Sequence, residues 1–522
     1  MRKAKKWLAV MMAAAMTMGT LAGCGGQSTS STAQTDSTSA QQTEGMTYNG
    51  QDVSEPVELV MYYLGDQTQD EDLVLAEINK ILQEKINATL VLKNMSLSDY
   101  STKYALTIAG GETIDMIYTS TWAFYQTEAS KGAFAEVTDE VIDQYMPLHK
   151  EGQAEASWGQ ARIGDKVYFV PCNMANVNAN AVLIRGDLRE KYGLDPLESV
   201  ADLEEYYAAV AADPESGVTF AYDASQNNDT AKAIELYDVN GWVRLEGALL
   251  NYLSYEYSDD VSADDLFWMY GTDEYKAYAE QMKSWADQGF WSKSAIANAT
   301  DVKEAFINGT SASFVQNLGT VGAAASHPEW KPEVYDLNPD ANRYFAAYTG
   351  DGLAVLANSQ NQERAFMAID LMKFDEDLYN LIRHGILDKH YTVTEDNLWM
   401  PADEMANYPY GTGFSWGFKN SVYDMERADT FEDQLEIGNL WKEKAMEGPT
   451  AAFSFDDTNV KNELANLQSV YTQYAPLLDL GLVDDVEATL AEFNAQAEAA
   501  GLQKIMDEAK TQLAAYLEEV GE

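Results

Sequence analysis

Aromatic side chains stand beside amide and charged side chains at several loop-like positions of the chain. Trp and Tyr rings offer flat apolar faces, while Asn, Asp and Arg offer directional hydrogen bonds. A neutral solute that carries many hydroxyl groups needs both, because its C–H faces pack on rings and its hydroxyls need donors and acceptors. The candidate binding residues of this kind are Asp66, Asn94, Trp122, Tyr125, Asn173, Asn176, Trp242, Arg244, Asp351 and Trp416.

The sequence singles out no catalytic or metal-binding group. It contains no His-Glu-x-x-His helix, no phosphate-binding Gly-Lys-Ser loop and no Cys-x-x-Cys pair. The acidic runs at 259–260 and 264–265 lack the central glycine and terminal glutamate of a calcium-binding EF-hand loop. We therefore expect no catalytic residue, no cofactor and no metal. A secreted acidic glycosidase stays open as an alternative, because 84 acidic residues could supply a facing carboxylate pair anywhere.

The N-terminus has the pattern of a secretion signal. Basic residues at 2–6 precede an apolar run, 7–18, that is too short to cross a bilayer. The tetrad Leu21-Ala22-Gly23-Cys24 resembles a bacterial lipobox, which implies a signal peptide over 1–23 and lipidation of Cys24. The Ser-, Thr- and Gln-rich segment 24–54 then predicts a flexible leash. With Cys24 acylated, Cys172 is the only other thiol, and we expect it to be buried and structural.

The charge balance limits the partners. The chain carries 84 acidic against 34 basic residues, a formal charge of −50. Such a surface repels nucleic acid and large anionic ligands, whereas a neutral solute is indifferent to it. We therefore expect no nucleic-acid partner.

Hydrophobic patterning predicts alternating strands and helices. Strands over 57–63, 88–92 and 114–118 alternate with helices over 73–86 and 100–109, which indicates a mostly parallel sheet covered by helices. A second alternating segment has strands at 182–185, 218–221, 312–315 and 353–356, and helices at 200–212, 275–287, 302–307 and 365–374. From Leu464 onward the chain is predicted to be helical. This length and pattern favour two lobes.

Several segments resemble the extracellular solute-binding proteins of bacterial ABC-type sugar importers. Residues 108–117 are similar to the turn and third strand of the family's N-terminal lobe, and 129–134 to its following Lys-Gly segment. Residues 305–314 are similar to its helix-to-strand passage. Residues 381–386 with 389–391 resemble a long lipoprotein subgroup of Gram-positive bacteria.

The resemblance implies an α/β, two-lobed clamp of the periplasmic-binding-protein type, each lobe a mostly parallel sheet flanked by helices, that closes on its ligand. It implies sugar or oligosaccharide binding and delivery to ABC permease subunits by a monomer, lipid-anchored on the outer face of the cell membrane. Peptide or amino-acid binding stays open as an alternative. We expect crossings between the lobes near 171–180, 313–317 and 349–353. The expected boundaries are 55–172 with 315–350 for the N-terminal lobe, 173–314 with 351–460 for the C-terminal lobe, and 461–522 for a helical extension.

Overall fold

The computed structural model describes residues 45–520 except 98, 226–228, 246–252, 259, 299, 301, 322–326, 452 and 454. The predicted signal peptide, Cys24 and most of the predicted leash lie outside these residues. Nine strands form the two main sheets: β1 (Val57–Leu64), β2 (Ala88–Met95), β3 (Met116–Thr119), β4 (Val170–Pro171), β5 (Ala181–Arg185), β6 (Phe220–Tyr222), β7 (Ser311–Gln316), β8 (Pro332–Tyr335) and β9 (Gly352–Val355).

The first lobe is built on a five-stranded sheet in the order β2-β1-β3-β9-β4. Strand β1 pairs in parallel with β2 and β3, whereas β9 is antiparallel to β3 and β4. Helix Glu71–Ile86 covers the sheet with Val74, Ile78, Leu82 and Ile86, a spacing of four that places them on one face. The lobe's other helices are Tyr100–Ala109, Tyr125–Ser130, Asp139–Tyr145, Pro147–Gly152, Glu155–Gln160, Gln362–Phe374 and Glu376–His384.

The second lobe is built on a four-stranded sheet in the order β6-β7-β5-β8. Only β6 and β7 are parallel, since β5 runs antiparallel to both β7 and β8. Its helices include Gly186–Tyr192, Val200–Ala211, Asp229–Lys232, Asp238–Asn240, Asp273–Gln288, Val302–Ile307, Leu318–Val321 and Glu432–Lys444, and a π-helical turn spans Ala233–Tyr237. The two-lobed α/β prediction is confirmed, but both sheets are mixed and not mostly parallel.

A smaller antiparallel sheet lies in the second lobe and is called here the groove sheet. Its strands are Trp242–Arg244, Leu253–Glu256 and Phe267–Trp268, with the middle strand pairing to both others. The remaining short strands are Thr47–Tyr48, Gln51–Asp52, Arg162–Ile163, Lys166–Val167, Arg343–Tyr344, Tyr391–Val393, Trp399–Pro401 and Ala445–Met446.

Two segments lie in the opposite lobe from the one expected. Strand β7 is central in the second sheet, and Val315, Val321 and Val334 belong to the second lobe's core. Residues 353–418 instead complete the first core, because β9 inserts between β3 and β4. The boundaries 315–350 and 351–460 therefore differ from the structure.

Three chain segments cross between the lobes: 172–180, 345–351 and 419–431. The first two are joined by a hydrogen bond from Ala346 N to Asn176 O (2.7 Å), and Asn178 N of the first also donates to the O atom of Tyr344, the residue just before the second (2.8 Å). The first and third are joined by a bond from Asn173 N to Lys419 O (2.9 Å). The expected crossing at 313–317 is wrong because those residues are a buried strand of one sheet, and the sequence analysis missed the crossing at 419–431.

The predicted helical C-terminus is present as three helices, called here the C-terminal helices: Lys461–Asp479, Val486–Ala500 and Leu502–Val520. They are an integral part of the second lobe, since Leu464, Leu478, Phe493 and Leu513 are buried in the same core as its sheet. Within the described ranges, no helix combines the length and the apolar character that crossing a membrane would require.

Candidate functional site

A groove opens in the second lobe, where the first two crossings meet it. It encloses about 900 Å³, part of which is open to solvent. Five aromatic rings line it together with amide, carboxylate and guanidinium groups. The lining residues are Asn178, Ala179, Asn180, Ala233, Tyr237, Asp238, Gly241, Trp242, Val243, Arg244, Tyr255, Asn342, Tyr344, Phe345, Ala347, Gly448, Thr450 and Ala451.

The groove sheet supplies the aromatic wall. Trp242 is half-buried and packs edge-on against Phe267, with ring centroids 5.0 Å apart. Arg244 lies over the ring of Tyr237 at 5.3 Å, a cation–π arrangement that limits where the guanidinium can point. The predicted pair Trp242 and Arg244 is therefore brought together at the groove.

A buried ion-pair cluster supports the polar wall. Arg343 is fully buried and lies 2.9 Å from Asp336 and 3.2 Å from Asp238, which lines the groove. Its guanidinium also donates to Asn338 O and stands over the ring of Trp441. Burial raises the pKa of Asp238 to about 6 against the opposing pull of Arg343, with Asp336 adding to the rise. Asp238 can therefore accept a hydrogen bond from a hydroxyl while held in place by a charge behind it.

Two predicted residues mark the first lobe's side of the crossings. Trp122 is 46% exposed, and its indole N–H donates to Gly350 O in the second crossing (2.7 Å). Tyr100 and Tyr118 hold the indole edge-on and tilted at 5.7 and 5.9 Å. Trp416 is half-buried, 6.2 Å from Tyr118, with its N–H on Gly411 O (2.9 Å). Trp122 thus presents a large free ring face.

Asp351 is tied into the joint between the lobes. It accepts hydrogen bonds from Tyr118 Oη and from Lys419 Nζ (2.6 Å), so it links the second and third crossings. Burial, with Asp351 as the next cause, raises the pKa of Tyr118 well above its usual range.

Other predicted residues serve the structure. Tyr125 is buried in the first core, where it donates to Ala161 O (2.5 Å) and packs on Phe169, so its assignment to the ligand site is wrong. Phe124, just before it, has a left-handed backbone, with φ +65°. Asn173 is also buried, and its amide binds Gly152 O, Asn420 Oδ1 and Ala154 N.

The remaining predicted residues lie at exposed positions. Asn94 donates to Gly65 O (3.0 Å) at the ends of β1 and β2, beside Asp66. Asn176 is exposed in the first crossing, where its carbonyl accepts from Ala346 N. None of these three lines the groove.

Sequence reasoning missed several groove residues. Asn180 lies on the first crossing, Asn342 and Tyr344 come just before the second, and Tyr255 and Thr450 come from distant parts of the chain. The sequence also contains a Gly-x-Ser-x-Gly spacing at 413–417, the pattern of a hydrolase nucleophile turn. Ser415 there is fully buried, bonded to Thr412 O and Arg383, in a 3₁₀ turn and not in the exposed strand-to-helix elbow of a nucleophile.

The one titratable group that the sequence predicts to be buried and structural is the thiol of Cys172. Cys172 is buried as expected, and burial raises its pKa to about 11. In the part of the chain that the structure describes, no cluster of three or more His, Cys, Asp or Glu side chains is arranged to hold a metal ion.

Comparisons with known proteins bear on this fold. Residues 449–518 match a family described as Domain of unknown function (DUF3502). The chain is 23% identical over 471 residues, 88% of this chain and 90% of the relative, to a carbohydrate ABC transporter substrate-binding protein of Streptococcus pneumoniae serotype 4.

Solved structures share the architecture. The N-glycan transport solute-binding protein NgtS of Streptococcus pneumoniae, in complex with Man1GlcNAc, superimposes with a TM-score of 0.70 at 18% identity, covering 88% of this chain and all of the other. The alginate-binding protein AlgQ2 gives a TM-score of 0.64 at 17% identity, covering 88% and 98%. The chain therefore has the two-lobed fold of these solute-binding proteins.

Proposed function

We propose that this chain captures a neutral oligosaccharide in the groove of its second lobe, beside the crossings, and delivers it to the permease subunits of an ABC importer. The observation that carries the proposal is the makeup of the groove: Trp242, four further rings, and the side chains of Asn178, Asn180, Asp238 and Arg244 converge where the crossings meet the second lobe. Ring faces for sugar C–H groups and directional partners for hydroxyls are thereby side by side.

The charge of the chain favours a neutral ligand. A formal charge of −50 raises the free energy of bringing a polyanion to the surface. In the groove, the positive charge of Arg244 is accompanied by the carboxylate of Asp238. Since Arg343 is buried behind Asp238 and paired to two carboxylates, it adds no exposed positive charge to the groove. A uronic-acid oligomer such as alginate is therefore expected to bind more weakly than an uncharged chain.

Delivery requires the ligand to stabilise one arrangement of the lobes. Trp122 lies across the joint from the groove and is anchored to Gly350, on the same crossing as Ala347 of the groove wall. A sugar that touches both would favour the closed arrangement through its differential contacts.

Attachment to the cell surface belongs to the same proposal. The lipobox-like tetrad would place two or more acyl chains on Cys24, enough for stable membrane binding. Cys24→Ala should release the chain from the membrane fraction to the soluble fraction of cells that express it. Persistence of the variant in a high-salt-washed membrane fraction would contradict lipid anchoring.

The test is a thermal-shift and calorimetric screen of the chain lacking residues 1–24. The panel contains Man1GlcNAc and other neutral oligosaccharides, alginate oligosaccharides and short peptides. A ligand at 100 times its Kd should stabilise the folded chain by about 2.7 kcal/mol. Binding of neutral sugars alone supports the proposal, whereas binding of peptides alone supports the alternative peptide-binding function. Release of shorter sugars during incubation would instead indicate a glycosidase.

A further inference from the structure

We propose that the C-terminal segment 449–518, the part matched to a domain of unknown function, is the frame that positions the ligand groove. The inference rests on the proposed function for its biological meaning. Its structural part concerns three polar anchors that run from this segment to the residues that line the groove, and these anchors can be tested without a ligand.

The first anchor is a buried ion pair. Asp479, at the end of the first C-terminal helix, lies 2.6 Å from Lys232 Nζ and accepts a hydrogen bond from Tyr275 Oη (2.7 Å). Lys232 ends the helical turn that leads directly into the π-helical turn Ala233–Tyr237 and then to Asp238. The wall residues Tyr237 and Asp238 therefore follow a backbone that Asp479 fixes.

The second anchor holds the groove sheet. Asn494, in the second C-terminal helix, accepts from Trp268 Nε1 (2.6 Å) and donates to Tyr270 O (2.9 Å). Trp268 pairs with Leu253 on the middle strand, and that strand pairs in turn with Trp242–Arg244. Asn494 is thus connected to Trp242 and Arg244 through the two strand pairings of the groove sheet.

The third anchor is at the groove itself. Thr450 Oγ1 and Tyr255 Oη are 3.0 Å apart, both residues are buried, and both line the groove. Because a sheet this short has few hydrogen bonds of its own, its orientation depends on such outside contacts. Asp479, Asn494 and Thr450 are positioning residues. The other residues that line the groove make most of the contacts with the ligand.

The test is hydrogen–deuterium exchange of the ligand-free chain lacking residues 1–24, at a temperature where every variant is fully folded. Asp479→Asn should accelerate exchange of amides in 233–245, and Asn494→Ala should accelerate exchange in 253–268, each by about tenfold, the effect of losing roughly one buried hydrogen bond or charge contact. Amides of the first lobe should not change in either variant.

Tyr474→Phe is the matched control. Its hydroxyl donates to Glu492 (2.9 Å) inside the C-terminal helices, and phenylalanine keeps the ring that stacks on Phe493. Exchange at 233–268 should therefore stay as in the parent chain. Asn494→Ala keeps the test decisive if Asp479→Asn does not fold, because Asn494 is uncharged.

Binding of Man1GlcNAc by calorimetry gives the second measurement. If the parent chain binds it, the Asn494→Ala variant should bind at least about tenfold more weakly, and Tyr474→Phe equally well. A parent chain that binds no sugar defeats the proposed function but leaves the exchange result to decide the frame. Lower melting temperatures with unchanged exchange at 233–268 would overturn the inference, since the segment would then only stabilise the fold.

Discussion

Glu235→Gln should stabilise this protein, and should do so more as the pH rises. Glu235 is 8% exposed in the π-helical turn Ala233–Tyr237, and its Oε1 atom is buried without a hydrogen-bond partner. Burial, reinforced by the carboxylate of Glu204, raises its pKa to about 8, against an ordinary value of 4.5. The folded chain must therefore either hold a proton on Glu235 or bury a charge.

The sign and size follow from linkage. A carboxyl whose pKa is higher in the folded state binds its proton more tightly there, so the free energy of unfolding falls as the pH rises from 4.5 through 8. The pH range from 4.5 to 7, in which the unfolded chain loses this proton and the folded chain keeps it, spans about 2.5 units. Over this range the free energy of unfolding falls by about 3 kcal/mol. Glutamine cannot ionise, so the variant avoids this loss.

Urea unfolding followed by tryptophan fluorescence, repeated between pH 4 and 8.5, measures the difference. We expect parent and variant to coincide near pH 4 and to separate by about 3 kcal/mol at pH 7. Glu205→Gln, at an exposed position of helix Val200–Ala211, is the control and should follow the parent chain. A constant difference at all pH values would refute the reasoning, because it would reflect packing and not ionisation.

Three further substitutions test other features. Trp122→Ala should weaken sugar binding by about fivefold to tenfold while the melting temperature of the ligand-free chain stays nearly unchanged, as its ring is largely exposed, whereas Leu106→Ala, at another exposed position, should leave calorimetric affinity intact. Gly481→Ala should lower the urea midpoint strongly, since its φ is +63° and a Cβ would overlap the Met282 carbonyl; an unchanged midpoint would contradict this packing. His384→Phe should reduce the acid sensitivity of the chain. Burial lowers the pKa of this histidine to about 3, so its protonation in the unfolded chain alone costs about 3 kcal/mol of stability between pH 7 and 4.5, and the variant should not show this part of the loss; equal losses in both proteins would argue against it.

The local elements were largely predictable from the sequence, because each signal is local. Helix Tyr100–Ala109 and helix Val302–Ile307 have the predicted bounds, and β1 is one residue longer than predicted. Apolar spacing and the Gly110-Gly111 break act within a few residues, so neighbouring lobes do not disturb them.

Lobe membership was not predictable in the same way. Strands β7 and β9 are both short and almost entirely buried, and nothing in either pattern says which sheet it joins. Pairing is decided by partners far away in the chain, here β5 and β6 for β7, and β3 and β4 for β9. The swapped boundaries follow from that missing information.

The residues of the candidate site were likewise predictable only where the signal is local in the sequence. Trp242 and Arg244 were found because a turn at Gly241 places an aromatic and a cation together. Tyr125 was misplaced because an aromatic residue after a turn can face solvent or the core, and its ring packs on Phe169 in the core. Tyr255 and Thr450 carry no local signal, since they meet only after the C-terminal segment has folded against the groove sheet.

Three chain segments, and not two, cross between the lobes, and their number limits how the lobes can move. Two parallel connections can twist about each other, but a third one, hydrogen-bonded to the first through Asn173 and Lys419, resists torsion and leaves bending about one axis as the soft motion. The lobes would then open and close by bending about that one axis. A distance measured between fluorophores on the two lobes should therefore fall into two narrow populations, with no continuum of rotated forms between them.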